Sequence, residues 1–395
     1  MQAILILNSG SSSIKFAVFA LERETVRKEY TGIVVNIIQK PHLKIKASSG
    51  EVIINKNLSE TTPSNDPYTR ATEEILHWVQ LQQINVIAAG HRVAHGGVHY
   101  NRATVINDEV IINLEELKPL APLHQPYNLN GIKILQKKFP KIFQVACFDT
   151  AFHTTCNPLS QLFAIPKWLT EKGVRRYGFH GLSYDYVVSQ FDKYLPKDKV
   201  NGKFIIAHLG QGATMCAVHN RKSVATSIGF SALDGLPMGT RCGCLDAGVM
   251  LYLLDQEKMT YTEIEKTLYK ESGLLGVSGG IGSDMKELLE SNNKDAKTAV
   301  DLFIYRICCW IGTLTAELQG LDGLIFTAGI GENAPYIREK VCEQIAWLGA
   351  KIDKDANNSG QHEIYHQDSK LLLYTIPTDE EVTIAKETFA LMTSC

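Results

Sequence analysis

Three observations predict an α/β fold built from two related domains. Apolar segments of strand length alternate with amphipathic segments of helix length along all 395 residues. The chain is longer than one average core supports. An apolar strand, a small-residue turn and a second apolar strand also occur twice, as ILILNSGSSSIKFAVF at 4–19 and KFIIAHLGQGATMCAVHN at 203–220. Two such hairpins read as a duplicated domain, each half offering a phosphate-binding turn to a shared cleft.

Taken in order, buried strands are expected at Ala3–Leu7, Val86–Ala89, Phe143–Cys147, Phe204–His208 and Gly323–Thr327. Amphipathic helices are expected at Ala71–Gln80, Tyr127–Phe139, Ser183–Lys193, Tyr261–Tyr269, Asp295–Leu318 and Tyr336–Trp347. Residues 36–68 are polar and strand-rich and close on Pro63-Ser64-Asn65-Asp66-Pro67, which reads as an insertion or hairpin layer outside the core.

Composition excludes several classes. The 45% apolar and 21% charged fractions are those of an ordinary globular protein. A net charge of −2 argues against nucleic acid or an anionic membrane as the main partner. No apolar stretch is read as approaching the roughly 18 residues of a membrane span, and the N-terminus lacks the basic region of a signal peptide. The nine cysteines match no zinc or redox spacing, Cys242/Cys244 and Cys308/Cys309 included, so reduced thiols in the cytoplasm are expected. His91, His95 and His99 mimic a helical metal face, but Gly96-Gly97 would break that helix.

The turns carry the chemistry. In the first, backbone N–H groups can approach a phosphate, Ser11, Ser12 and Ser13 add donors, Asn8 can orient a metal-bound water, and Lys15 supplies charge. An ordinary hairpin with a polar turn explains the same segment. Arg92 in GHRVAHGG is suited to bind carboxylate or phosphate with both arms of its fork. His124 lies in the proline-stiffened LAPLHQP loop, and Asp149 in FDTAFH ends an apolar strand, as a ligand carboxylate or as a cap. RRYGFHG and GLPMGTR hold His180 and Arg241 among glycines and prolines. Separated arginines and histidines held this way suit a multiply charged anion, the requirement of phosphoryl transfer. Further glycine turns lie at 279–284 and 327–333, and no Walker A loop or convincing dinucleotide fingerprint occurs.

The stretches NSGSSSIKF, GHRVAHGG, LAPLHQP, FDTAFH, RYGFHGLSY, HLGQGAT, GLPMGTRCG, ESGLLGVSG, FTAGIGEN and IPTDEE run in family order from residue 8 to residue 381. Together they resemble the acetokinase family of short-chain carboxylate kinases. The resemblance implies the duplicated two-domain α/β fold of the actin, hexokinase and Hsp70-like ATPases around a nucleotide cleft. It implies a first domain of 1–150 plus a returning helix within 383–395, a second domain of 151–382, and a homodimer. It implies reversible transfer of the ATP γ-phosphoryl to acetate, with Mg²⁺ or Mn²⁺, giving an acyl phosphate and ADP. By motif, Asn8 and Glu380 would hold the metal. Lys15, Ser11, Ser13, His208, Leu209, Gly210, Gln211, Gly212, Asp284, Met285, Lys286, Gly329, Ile330, Gly331, Glu332 and Asn333 would hold ATP. Asp149, His180, Arg241 and His124 would be catalytic. Arg92 would bind the substrate carboxylate, with Ala94, Leu123, Phe179 and Ala232 as its apolar wall.

This chain departs from the family pattern at Gln211 and Gln125, where Asn is usual, at Cys244 and Ala247, and at Lys286 in place of Arg. Ala94 replaces a usual Val and Ala232 a usual Pro, which frees room in the acid pocket and leads to the expectation that propionate is accepted. Propionate kinase is the alternative reading. A sugar kinase or plain ATPase on the same scaffold, and an inactive scaffolding protein, are the competing classes.

Overall fold

Strands form where the apolar runs lie. The computed structural model describes residues 1–10, 12–58, 66–122 and 124–394. The first unit, Met1–Phe152 with Asp379–Cys395, holds β1 (Gln2–Ser9), β2 (Ser13–Leu21), β3 (Val26–Val35), β4 (His42–Ala47), β5 (Val52–Asn57), β6 (Asn85–Val93), β7 (Thr104–Val105) and β8 (Phe143–Phe148). They make one sheet in the order β5-β4-β3-β2-β1-β6-β8-β7. β1 is buried on both sides, as a strand covered by helices on both faces must be. Its odd residues Leu5 and Leu7 share a core with Ile75 and Trp78 of the helix Pro67–Leu81. On the other face Ile6 meets Ile384 of the last helix, Glu380–Ser394, at Gly90, where an added Cβ would sit 2.6 Å from Ile384 and 2.5 Å from Thr388. That close approach requires glycine.

The second unit, His153–Thr378, holds β9 (Lys203–Leu209), β10 (Ala213–His219), β11 (Lys222–Thr226), β12 (Gly323–Thr327) and β13 (Leu372–Thr375) in the order β11-β10-β9-β12-β13. This is the order β3-β2-β1-β6-β8 again, with the same pairing senses. In each unit the hairpin is antiparallel and the two strands beyond it are parallel. The repeated hairpin seen in the sequence is therefore one part of a repeated sheet.

Several expectations are corrected. The hairpin β4–β5 lengthens the sheet, and Ile37, Leu43 and Ile45 belong to the core, because alternation turns one face of the hairpin inward. Residues 59–65 of that segment lie outside the described residues. The helix expected at Ser183–Lys193 is two, Gly181–Ser189 and Phe191–Tyr194. The one at Tyr336–Trp347 runs Pro335–Gln344 and ends in a 3₁₀ turn, Ala346–Leu348, closed by Gly349 at φ +94°. The helix Lys294–Leu318 is, against expectation, long and apolar enough to cross a membrane, at 25 residues. It places Ala299, Phe303, Ile307, Ile311 and Leu314 in one core with Met215 and Ala217 of β10, as a core helix does.

Candidate functional site

In the first unit the site grows from three neighbouring strand ends. Asn8 is the penultimate residue of β1 and pairs across the hairpin with Lys15, which is exposed on β2. Arg92 lies one residue beyond His91, the partner of Leu7, so the parallel ladder brings it level with Asn8. Asp149 follows β8 and donates its N–H to the Val93 carbonyl at 3.1 Å. Arg92 then donates from Nε to both Asp149 oxygens at 3.0 and 3.1 Å and from Nη2 to Oδ2 at 2.7 Å. Its Nη1 donates to Asn8 Oδ1 at 3.3 Å, and Glu380 Oε2 lies 3.7 Å from its Nε. A guanidinium has five N–H groups. These contacts leave one on each terminal nitrogen for an anion.

Burial opposes the charge on Arg92, yet Asp149 and Glu380 beside it hold its pKa above the ordinary value. Burial also raises Asp149 against the pull of Arg92, and Glu380 adds to the rise. Glu381 is raised by burial and by its acidic neighbours Glu380 and Asp379.

The wall of this site is pinned from behind by the helix Gln125–Lys138. Asn128 accepts from the Ala94 N–H at 2.9 Å and donates to the Ser9 carbonyl at 2.6 Å. Gln125 accepts from the His95 N–H at 3.2 Å and donates to the His95 carbonyl at 3.1 Å. His124 stands at the N-cap position of this helix. Ser13 accepts from the Gly10 N–H at 2.8 Å, closing the first turn. Ser11 and Leu123 lie outside the described residues. His91 and His95 are not on a helix: His91 bonds Gln144 at 2.8 Å, and His95 Nδ1 accepts from Gly97. Burial lowers the pKa of both histidines to about 4.

In the second unit the equivalent positions carry different chemistry. His208 is penultimate on β9 and faces Thr214 across the hairpin. His180 takes φ +57° ahead of the helix Gly181–Ser189, which turns its ring onto that of His208 at 4.1 Å between centroids, 19° from parallel. Thr214 Oγ1 bonds His180 Nδ1 at 3.0 Å and also the Tyr184 hydroxyl. A Cβ added at Gly212 would lie 3.2 Å from the His180 ring and 4.0 Å from Arg241 Nη2, so both side chains flank this glycine. Arg241 donates to the Ala232 carbonyl at 3.2 Å, which makes Ala232 a support for that arginine. His153 holds the Phe179 carbonyl at 3.0 Å, and its pKa is lowered by burial to about 4. Phe179 itself joins the core of the second unit.

A cavity of about 460 Å³ is lined by Gly210, Gln211, Asp284, Met285, Lys286, Gly329, Ile330 and Asn333, among others. It thus gathers half of the residues expected to hold ATP. Asp284 caps the helix Met285–Glu290 through the Lys286 N–H at 2.9 Å, and Gln211 lies over Gly239, where any Cβ would meet its Oε1 at 2.2 Å. Leu209 is buried in the core, so only its backbone is available there.

The glycine turn expected at 327–333 is a short helix, Ala328–Asn333. Ala328 takes φ +65° to bend the chain out of β12, and Glu332 Oε1 accepts its N–H at 2.8 Å. From below, the buried Arg338 donates to the Gly331 and Glu332 carbonyls at 2.8 and 2.9 Å and to Asn357 at 2.7 Å. Sequence reading missed Arg338, Asn128, Ser183 and Thr214. Arg338 sits in a polar helix and reads as a surface residue, and the other three are small polar residues whose partners lie far along the chain.

The acetokinase family model matches residues 3–386. The acetate kinase of Rickettsia akari (strain Hartford) is 46% identical over 386 residues, covering 97% of this chain and 98% of that protein. Among solved structures, a propionate kinase from Francisella tularensis superposes with a TM-score of 0.90 at 37% identity, covering 98% of this chain and 99% of that one. The Porphyromonas gingivalis acetate kinase gives 0.86 at 34% identity, covering 99% and 100%.

Proposed function

Because this chain belongs to the acetokinase family, we propose that it moves the γ-phosphoryl of ATP reversibly to acetate, giving acetyl phosphate and ADP, and that it accepts propionate as well. The observation that carries this is Arg92, whose two remaining N–H groups suit a carboxylate. A carboxylate is already a nucleophile, so no strong base is needed. The barrier is repulsion between two anions, and Arg92, Arg241 and His180 offset it. Asp149 orients Arg92 and keeps it charged.

Asn8 and Glu380 would hold a magnesium ion: both are hard oxygen donors, and their contacts to Arg92 at 3.3 and 3.7 Å bring them to one place. When bound, the ion supplies charge neutralisation on the transferring phosphates. Lys15 adds charge from the exposed face of β2. The lining of the 460 Å³ cavity supports an adenine nucleotide there. Ala94 supports propionate, since one methylene discriminates by only about 1–3 kcal/mol in an apolar pocket.

A hydroxamate assay for acyl phosphate tests the reading, with acetate, propionate, butyrate and glycerol compared. Acetate and propionate should form hydroxamate and glycerol should not. A propionate kcat/KM below about a hundredth of the acetate value would remove propionate from the proposal.

We also read this protein as a homodimer. The helix Ala247–Asp255 has no buried residue although it is apolar on every side, with Leu251, Tyr252 and Leu254 exposed. Helices apolar all round are normally covered. A second copy is the occupant proposed, and L251E should shift the protein to a monomer in sedimentation.

A further inference from the structure

Thr378 is the last residue of the second unit, and Glu380 follows two positions on. Its backbone N–H donates to Glu332 Oε1 at 3.1 Å, the same oxygen that holds the Ala328 elbow of the nucleotide cavity. Its hydroxyl lies 2.7 Å from Ser183 Oγ, which in turn lies 2.8 Å from His208 Nδ1. His208 stacks on His180. One residue thus bonds towards the nucleotide elbow with its backbone, towards the histidine pair with its side chain, and leads directly into the segment that bears Glu380.

The side chain suits that position. A hydroxyl has one proton and two lone pairs, so Ser183 can serve His208 with a fixed orientation only if its second position is filled. Thr378 fills it, whichever way the protons run. Ser183 is fully buried, where such a chain is stronger than in water and where breaking it is costly. The β-branch of threonine restricts χ1 and keeps the hydroxyl aimed.

We propose that Thr378 is a positioning residue: through Ser183 it holds His208, and with it His180, in the geometry that phosphoryl transfer requires. This rests on the carboxylate-kinase reading above and adds a residue to it.

The test uses the full-length enzyme with T378V, T378S, S183A and the double variant T378V/S183A. T378V keeps the shape and the N–H to Glu332 and deletes only the hydroxyl. It should lower kcat about ten- to a hundredfold, as loss of positioning does, with the acetate KM unchanged within about twofold. T378S should recover most of the loss. S183A cuts the same chain at its other end, so it should show a similar fall, and the double variant should be no slower than the worse single one. T378V should also lower the melting temperature, because the buried Ser183 hydroxyl loses a partner, and T378S should restore it together with kcat. A wild-type kcat in T378V, a T378S variant as slow as T378V, or additive losses in the double variant would overturn the inference. If T378V fails to fold, S183A against wild type decides by the same kcat and KM split. Wild-type enzyme that forms no acetyl hydroxamate would instead overturn the functional reading itself.

Discussion

The two sheets repeat one topology, yet their corresponding strand ends carry opposite chemistry. At the end of the first unit's hairpin stand Asn8 and Lys15, beside Arg92 on the next parallel strand. At the matching places of the second stand His208 and Thr214, beside Thr327. The first unit concentrates charge: Arg92, Asp149 and Glu380 lie within one cluster of ion pairs. The second uses aromatic stacking, neutral hydroxyls and glycine turns, with Arg241 as its cation. A duplicated scaffold supplies equivalent positions. What each position can bind depends on the few side chains placed there, and the proposed acid and nucleotide would need different ones.

The comparison breaks most readily at the arginines. R92A should reduce kcat/KM for acetate by about a thousandfold in the hydroxamate assay, mainly through KM. It should also destabilise the protein by about 3–5 kcal/mol in thermal denaturation, because Asp149 is left buried without its partner. R241A should reduce acyl-phosphate production comparably but through kcat. Should R92A move the ATP KM, or R241A the acetate KM, the division of labour fails.

Acid denaturation sharpens the contrast. His91 and His95 in the first unit and His153 in the second have pKa values lowered by burial to about 4. A lowered histidine pKa means the unfolded chain binds the extra proton between the two values. Stability from these groups is therefore intact above about pH 6.5 and falls as pH drops towards 4, by about 1.4 kcal/mol per pH unit for each histidine. Denaturant melts at stepped pH values read the slope. H91Q should remove about a third of it.

Smaller effects are expected behind and beside the cavity proposed to hold ATP. R338M removes the guanidinium that holds the Gly331 and Glu332 carbonyls, and should raise the ATP KM about tenfold with the acetate KM unchanged. An equal effect on acetate would show that the two sites are not separately supported. K286A should change the ATP KM only about two- to threefold, since this lysine is exposed and its pairing with Glu290 at 3.8 Å is weak.

The fold was legible where local signals were strong. Both hairpins, the buried parallel strands and the helix Lys294–Leu318 follow from apolar period and from glycine and proline punctuation. The segment after Thr327 was misread because glycines that usually mark a turn here sit in a short helix, started by a strained alanine and closed by Glu332. Leu43 and Ile45 were placed outside the core because alternation alone does not say which sheet a hairpin joins.

The residue types of the site, its arginines, histidines and glycine turns, are properties of the chain and were read from it. That Arg92 meets Asp149, 57 residues away, that His180 and Arg241 flank Gly212, and that Arg338 is buried beneath the Gly331 and Glu332 carbonyls came only with tertiary structure. The physical reason is that turns and periodicity are set by neighbouring residues. Which side chains then share a hydrogen bond depends on strand register and helix packing between segments far apart in the chain, and no local propensity encodes that.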